Sequence, residues 1–162
     1  MTSFPATYSR LIARELQLDE AGQQALLAGT SLTPAALFSL DEEVGAEDQF
    51  TILRNALAIS GDPAFGLRWG SHLSTTAHGA LGQISTNCGS LFEGLQATAR
   101  YADLRGRFVD MSLEQEGDWL VVHLRSLLPL DEVGLFFMEA LLQTTQHTIE
   151  LVIGRDFNDG EI

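Results

Sequence analysis

The sequence predicts an α+β domain that is mostly helical, with one antiparallel hairpin and a long C-terminal helix. Three observations carry this. Through the N-terminal part of the chain, apolar residues recur every three to four positions, the helical period. Between 108 and 126 the period drops to two, as in strands with one buried face. From 131 to 153 an almost continuous apolar stretch opens on acidic residues and closes on Gly154.

Taken in order, Tyr8 to Gln17 carries Leu11, Ile12 and Leu16 at helical spacing. Asp19 can cap a second short helix through Leu27, ended by Gly29. Thr33-Pro34 sets a cap before a proline at the first helical position and starts a third, through Ser39. A fourth runs from Glu47 to Ile59 with Phe50, Ile52, Leu53, Leu57 and Ile59 inward, and Gly61 suits its end. Asp62-Pro63 repeats the cap-proline signal and starts another helix. In it Gly66 and Gly70 share a face and permit close approach of a second backbone. His78-Gly79 breaks the chain before a short helix to about Asn87. Ser90-Leu-Phe-Glu93 is a capping box, in which each end satisfies an N–H of the other. It opens a helix to about Arg105 with Leu91, Leu95, Ala99 and Ala102 on one face.

The hairpin follows. Val109, Met111 and Leu113 lie on one side, the turn is Glu116-Gly117-Asp118, and Leu120, Val122 and Leu124 return on one face of the second strand. Trp119, Val121, His123 and Arg125 take the other face. An isolated hairpin is marginal in water, so it should pair in an oligomer or belong to a longer sheet. The tail RDFNDGEI reads as a loop entering a strand that does not arrive, as in a piece truncated from a longer protein, with pairing of the hairpin in an oligomer as the alternative.

Composition sets the outer bounds. With 162 residues, 45% hydrophobic and 19% charged, the chain suits one globular domain. No apolar run reaches a membrane-spanning length, and no signal peptide is evident; a cytoplasmic protein is expected. The net charge is −13, and all nine basic residues are arginine. A phosphate backbone would be repelled. Without lysine, phosphate-loop NTPase and Schiff-base chemistry are excluded.

No catalytic constellation emerges. His72, His78, His123 and His147 lack metal-ligand spacing, and neither metal nor cofactor is expected. Cys88 reads as a buried structural thiol. A Gly79-x-x-Gly82 spacing with no preceding strand is not a dinucleotide fingerprint. No serine sits in a nucleophile elbow. A small-molecule pocket fits better: Trp69, Tyr101, Trp119 and His123 are amphipathic residues among apolar ones. Arg68 and Arg105 can meet an anionic ligand group as a fork.

Read as an ordered set, GDPAFGLRWG, GALG, SLFEGLQATARYADL and VDMSLEQEGDWLVVHL resemble the N-terminal effector domain of one branch of the arabinose-regulator (AraC) type transcription factors. The likeness spans about residues 5–162 and is densest over 55–125. It implies a domain that senses a small molecule of unspecified class and forms a homodimer. It also implies a C-terminal, two-repeat helix-turn-helix domain, absent from this chain, that contacts DNA. Gln83 departs from the aromatic or aliphatic residue usual after the Leu-Gly pair, and effector identity does not carry over.

The candidate ligand residues are Arg68, Trp69, His72, His78, Gln83, Tyr101, Arg105, Trp119 and His123. On the apolar 131–153 helix, Phe136, Phe137, Leu141, Thr144 and Thr148 are the candidate dimer contacts. The rival readings are a ligand-free dimerisation module and a small histidine-dependent enzyme.

Overall fold

In the computed structural model, which describes residues 3–39, 42–102, 108–158 and 160, the main hairpin lies between a mostly helical N-terminal part and one long C-terminal helix. The order is β1 (Ser3–Pro5), α1 (Thr7–Glu15), α2 (Glu20–Leu26), α3 (Pro34–Leu37), β2 (Glu43–Gly45), α4 (Ala46–Ser60) and α5 (Phe65–His72). A 3-10 turn (Thr75–His78), α6 (Ala80–Thr86), α7 (Leu91–Tyr101), β3 (Val109–Glu116), β4 (Trp119–Ser126) and α8 (Glu132–Ile153) complete it. The α+β class holds.

The helix starts follow their caps. Asp19 accepts from the Gly22 N–H, Thr33 from Ala36, and Asp131 from both Val133 and Gly134, satisfying donors that a helix end leaves orphaned. Gly61 and Gly154 close α4 and α8 at positive φ. Two starts differ from expectation. The Asp62 carboxylate accepts from the Ala64 N–H at 2.9 Å, so residues 62–64 form a turn and α5 begins at Phe65. In the capping box, Ser90 accepts from the Glu93 N–H as expected, but the Glu93 carboxylate takes the Gly89 N–H, at 3.0 Å, one residue early. On α4, Ile52, Leu53 and Ala56 are buried around Gln49, whereas Ile59 points outward.

No periodicity in the sequence predicts β1 and β2. They pair antiparallel, with Phe4 opposite Val44 and both buried. Three-residue strands are too short to show a period. β3 and β4 pair from Val109↔Ser126 to Glu116↔Trp119 around Gly117 at φ +60. The inner face of the hairpin packs on helices: Met111, which is buried, and Leu113, Leu120, Val122 and Leu124, which are half-buried, meet Leu91, Leu95 and Ala99 of α7 and Ile149 and Ile153 of α8.

The core has two parts. The larger joins α1–α5 to the first half of α8 through Ile12, Leu26, Ile52, Leu53, Phe65, Trp69, Val133 and Phe136. The smaller is the hairpin cluster. α8 belongs to both. Gly66 and Gly70 let α5 lie directly on it: a Cβ at Gly66 would sit 2.7 Å from the Phe136 carbonyl oxygen, and one at Gly70 2.7 Å from that of Ala140. Among the described residues no helix is long and apolar enough to cross a membrane.

Candidate functional site

Between the two clusters lies a cavity of about 180 Å³. Its walls come from separated segments, each inward for an ordinary packing reason. Trp69 and Leu73 follow Phe65 down the buried face of α5. Thr75 and His78 come from the 3-10 turn, and Leu81, Gly82 and Ser85 from α6. α7 gives Leu95, Thr98 and Ala102; the start of the hairpin gives Phe108, Val109 and Met111. Phe4, Tyr8, Gln49 and Leu53 close one side. Along α8, Phe136, Phe137, Ala140, Leu141, Thr144, Thr145 and Thr148 form the long wall.

Aromatic rings shape the apolar part. Phe108 is stacked between Phe4, at 4.5 Å between centroids, and Phe137, at 4.6 Å. Trp69 packs on Phe136 at 5.3 Å and edge-on to Tyr8 at 6.0 Å. No Asp, Glu, Lys or Arg lines the cavity among the described residues.

The polar atoms are few and specific. The Tyr8 hydroxyl lies 3.1 Å from His78 Nδ1. Gln49 is buried, and its side-chain carbonyl accepts from the Ser9 hydroxyl at 2.9 Å. The Trp69 indole N–H is buried without an acceptor among the described residues, which is unusual because a buried indole N–H ordinarily finds one. Ser85 Oγ and Thr98 Oγ1 approach to 2.6 Å, and each also reaches a carbonyl four residues back, Leu81 at 2.8 Å and Gly94 at 2.9 Å. Thr148 donates likewise to the Thr144 carbonyl.

Of the sequence-derived ligand candidates, Trp69 and His78 reach this cavity. Arg68 and His72 lie on the surface with Glu15: His72 Nδ1 is 2.8 Å from the Glu15 carboxylate, and Arg68 bridges Glu15 and Asp62 at 3.6 and 3.0 Å. Gln83 is exposed on α6. Tyr101 is exposed under the Arg100 guanidinium. Trp119, 58% exposed, and His123, 3.5 Å from Glu114, occupy the solvent face of the hairpin. Arg105 lies outside the described residues. The five α8 residues singled out as dimer contacts all line the cavity. Cys88 is half-buried rather than buried, its thiol donating to the Ile84 carbonyl. Among the described residues, no group of three or more His, Cys, Asp or Glu side chains could hold a metal.

Sequence reasoning missed Tyr8, Gln49, Ser85, Thr98 and Thr145. A signal was present for one. Thr98 stands three residues after Leu95 on the buried stripe of α7, where the helical period asks for an apolar side chain.

Residues 21–158 match the model of the arabinose-binding domain of AraC transcription regulator, N-terminal. Over 116 residues, 70% of this chain, it is 39% identical to helix-turn-helix type transcriptional regulators of Mycobacterium tuberculosis and Mycobacterium bovis, covering 33% of each. Over 155 residues, 96% of this chain, it is 23% identical to the ornithine utilization regulator of Pseudomonas aeruginosa, covering 46% of it. The chain thus spans about a third to a half of these relatives. It belongs to the family of N-terminal, arabinose-binding-type domains of AraC transcription regulators.

Proposed function

We propose that this chain is the ligand-sensing domain of an AraC-type transcription regulator and that the cavity between its two cores is the effector site. The observation that supports this most is the position of the cavity. It is bounded on one side by the α1–α5 core and on the other by the hairpin cluster, with α8 running past both. A ligand there contacts both clusters and can favour one relative arrangement of them. It does so only if it binds the alternative arrangements with different affinity.

DNA contact is then the work of a helix-turn-helix domain elsewhere in a longer protein, since this chain carries a net charge of −13. The reading places the protein in the cytoplasm and involves no catalysis, metal or cofactor. Homodimerisation belongs to the same reading. With Phe136, Phe137, Leu141, Thr144 and Thr148 turned to the cavity, its support on α8 is the outward pair Leu135 and Leu151, each about half exposed.

The test is a thermal-shift screen of the chain against chemically distinct small molecules, alongside the cavity-filling variant Leu141→Trp. A ligand at about a hundred times its Kd stabilises the native state by about 2.7 kcal/mol. For a domain of this size that raises Tm by roughly 5–11 °C. The expected result is a dose-dependent rise for the parent chain that Leu141→Trp abolishes. No rise with any class, or an equal rise in the variant, would overturn the assignment.

A further inference from the structure

Gln49 is a polar residue that the packing of the domain does not explain. It stands on the buried face of α4 with Ile52, Leu53 and Ala56, where an apolar side chain would pack. It is 2% exposed, and it lines the cavity together with Leu53 one turn further on. We infer that Gln49 is a specificity-determining residue of the cavity, and that its amide N–H group meets an acceptor oxygen of the ligand, a carbonyl or a carboxylate. This rests on the reading of the cavity as the effector site.

The amide is held from one end. Ser9 of α1 is fully buried, and its hydroxyl donates to Gln49 Oε1 at 2.9 Å. Nε2 lies on the other branch of the fork. A primary amide carries two N–H donors and two acceptor lone pairs. The bond with Ser9 engages one lone pair, and among the described residues the two N–H donors have no partner. Nor is Nε2 sealed in by protein, as the Trp69 indole N–H is.

Stability gives no reason for such a residue. Buried donors left unpaired lose their hydration without return, whereas two apolar side chains of similar shape would join α1 to α4 without that loss. Recognition does give a reason. In a wall built largely of aromatic and aliphatic side chains, a few placed polar groups decide what binds. Ser85, Thr98 and Thr148 donate to carbonyls of their own helices, so Gln49 brings donors that those hydroxyls do not. A ligand with a suitably placed oxygen forms the bond; one without it leaves the amide unpaired and is disfavoured.

The experiment separates stability from recognition. Ser9→Ala/Gln49→Met replaces both partners with apolar side chains, so neither half of the pair is orphaned. Its Tm should equal or exceed that of the parent chain. A Tm lowered by more than about 3 °C in this variant and in Ser9→Ala/Gln49→Leu alike would make the pair structural and overturn the inference.

Recognition is read with single-ring probes, which suit a space of about 180 Å³ because benzene enters an apolar cavity of about 150 Å³. Acetophenone carries a carbonyl where α-methylstyrene, of the same shape, carries an exocyclic methylene; benzoate carries the charged acceptor. Affinities are measured by ligand-observed NMR titration on the parent, on Ser9→Ala/Gln49→Met and on Leu141→Trp. The quantity compared is each acceptor probe's affinity relative to α-methylstyrene, parent against variant, which cancels the different costs of leaving water. For acetophenone this ratio should fall about five-fold in Ser9→Ala/Gln49→Met, with α-methylstyrene bound as before. A fall for benzoate alone identifies the acceptor as a carboxylate. Ratios unchanged for both acceptor probes, or binding of α-methylstyrene alone, would overturn the role of Gln49 and leave the site standing. If no probe binds the parent, or all bind Leu141→Trp equally well, the effector site falls and the role of Gln49 falls with it.

Discussion

Replacing Gly70 with alanine tests the contact that forms one wall of the cavity. A Cβ there would lie 2.7 Å from the Ala140 carbonyl oxygen, 2.8 Å from the Ala140 Cα and 3.0 Å from the Gln143 Cβ. The first is 0.7 Å short of the 3.4 Å at which ordinary contact begins, and two of the three obstacles are backbone. The methyl therefore forces α5 away from α8 rather than displacing a flexible side chain. Overpacking of this kind costs about 1–3 kcal/mol. Against it stands the helix preference for alanine over glycine, about 1 kcal/mol in a helix interior and less in the last turn, where Gly70 lies. The net expectation is a loss of about 1–2 kcal/mol, read as a Tm lowered by roughly 2–8 °C in calorimetry or as a lower urea midpoint. Gly45 is the steric control: it has ordinary φ and a methyl added there would meet nothing within 4 Å, so Gly45→Ala should lose only the preference for glycine over alanine at the N-cap of α4, under about 1 kcal/mol. If Gly70→Ala matches or exceeds the parent in stability, α5 and α8 are not held at contact distance, and the cavity wall they form is not rigid.

Three other outcomes follow from single features. Asp131→Ala removes the acceptor for the Val133 and Gly134 N–H groups at the start of α8 and should lower unfolding free energy by about 1 kcal/mol in urea titration. Phe108→Ala deletes the ring between Phe4 and Phe137 and should cost about 2–3 kcal/mol, below the range for a full core site because Phe108 is half-buried. The Gln146 amide, then the Phe157 backbone N–H, hold the Glu150 carboxyl below its ordinary range, with His147 adding in the same direction. A carboxyl lowered in the folded state stabilises above its unfolded pKa and loses that contribution as pH falls through the folded value. Glu150→Gln should therefore lower stability at neutral pH and flatten its fall toward acid, measured as urea midpoints from neutral pH into the acid range.

Local rules made the helices and hairpin legible. Asp19, Thr33, Ser90 and Asp131 are caps whose chemistry is complete within a few residues, and the period of two between 109 and 124 sets the inner hairpin face without reference to the rest of the chain. Gly66 and Gly70 also spoke clearly, because two glycines on one helix face have few other uses. The β1–β2 ladder was hidden because it joins three-residue segments about forty positions apart. The cavity was hidden for a different reason. Its wall is drawn from many elements, and each contributing residue follows the period of its own helix, so a lining leucine and a core leucine look alike in sequence. Aromatic character alone misplaced attention: Trp69 is buried because α8 lies over it, whereas Trp119 sits on a hairpin face that no other described element covers.

The gap between the two cores has an energetic meaning of its own. Cavities in otherwise packed interiors destabilise by about 24 cal/mol per Å³. A closed void of about 180 Å³ would forgo on the order of 4 kcal/mol; this one is partly open to solvent, so that figure is an upper bound. The polar side chains around it show how the gap is kept open. Ser85, Thr98 and Thr148 turn their hydroxyls back to carbonyls of their own helices, so they satisfy themselves at the wall without reaching across it. Leucines there would close the space and merge the two clusters into one core. A ligand that fills it recovers part of the forgone packing only in the arrangement that holds the two cores at that separation. Couplings between sites usually amount to about 1–3 kcal/mol. A fraction of that upper bound would suffice for such a coupling under the proposed reading, and α8, packed in both cores, is the element through which occupancy would be felt.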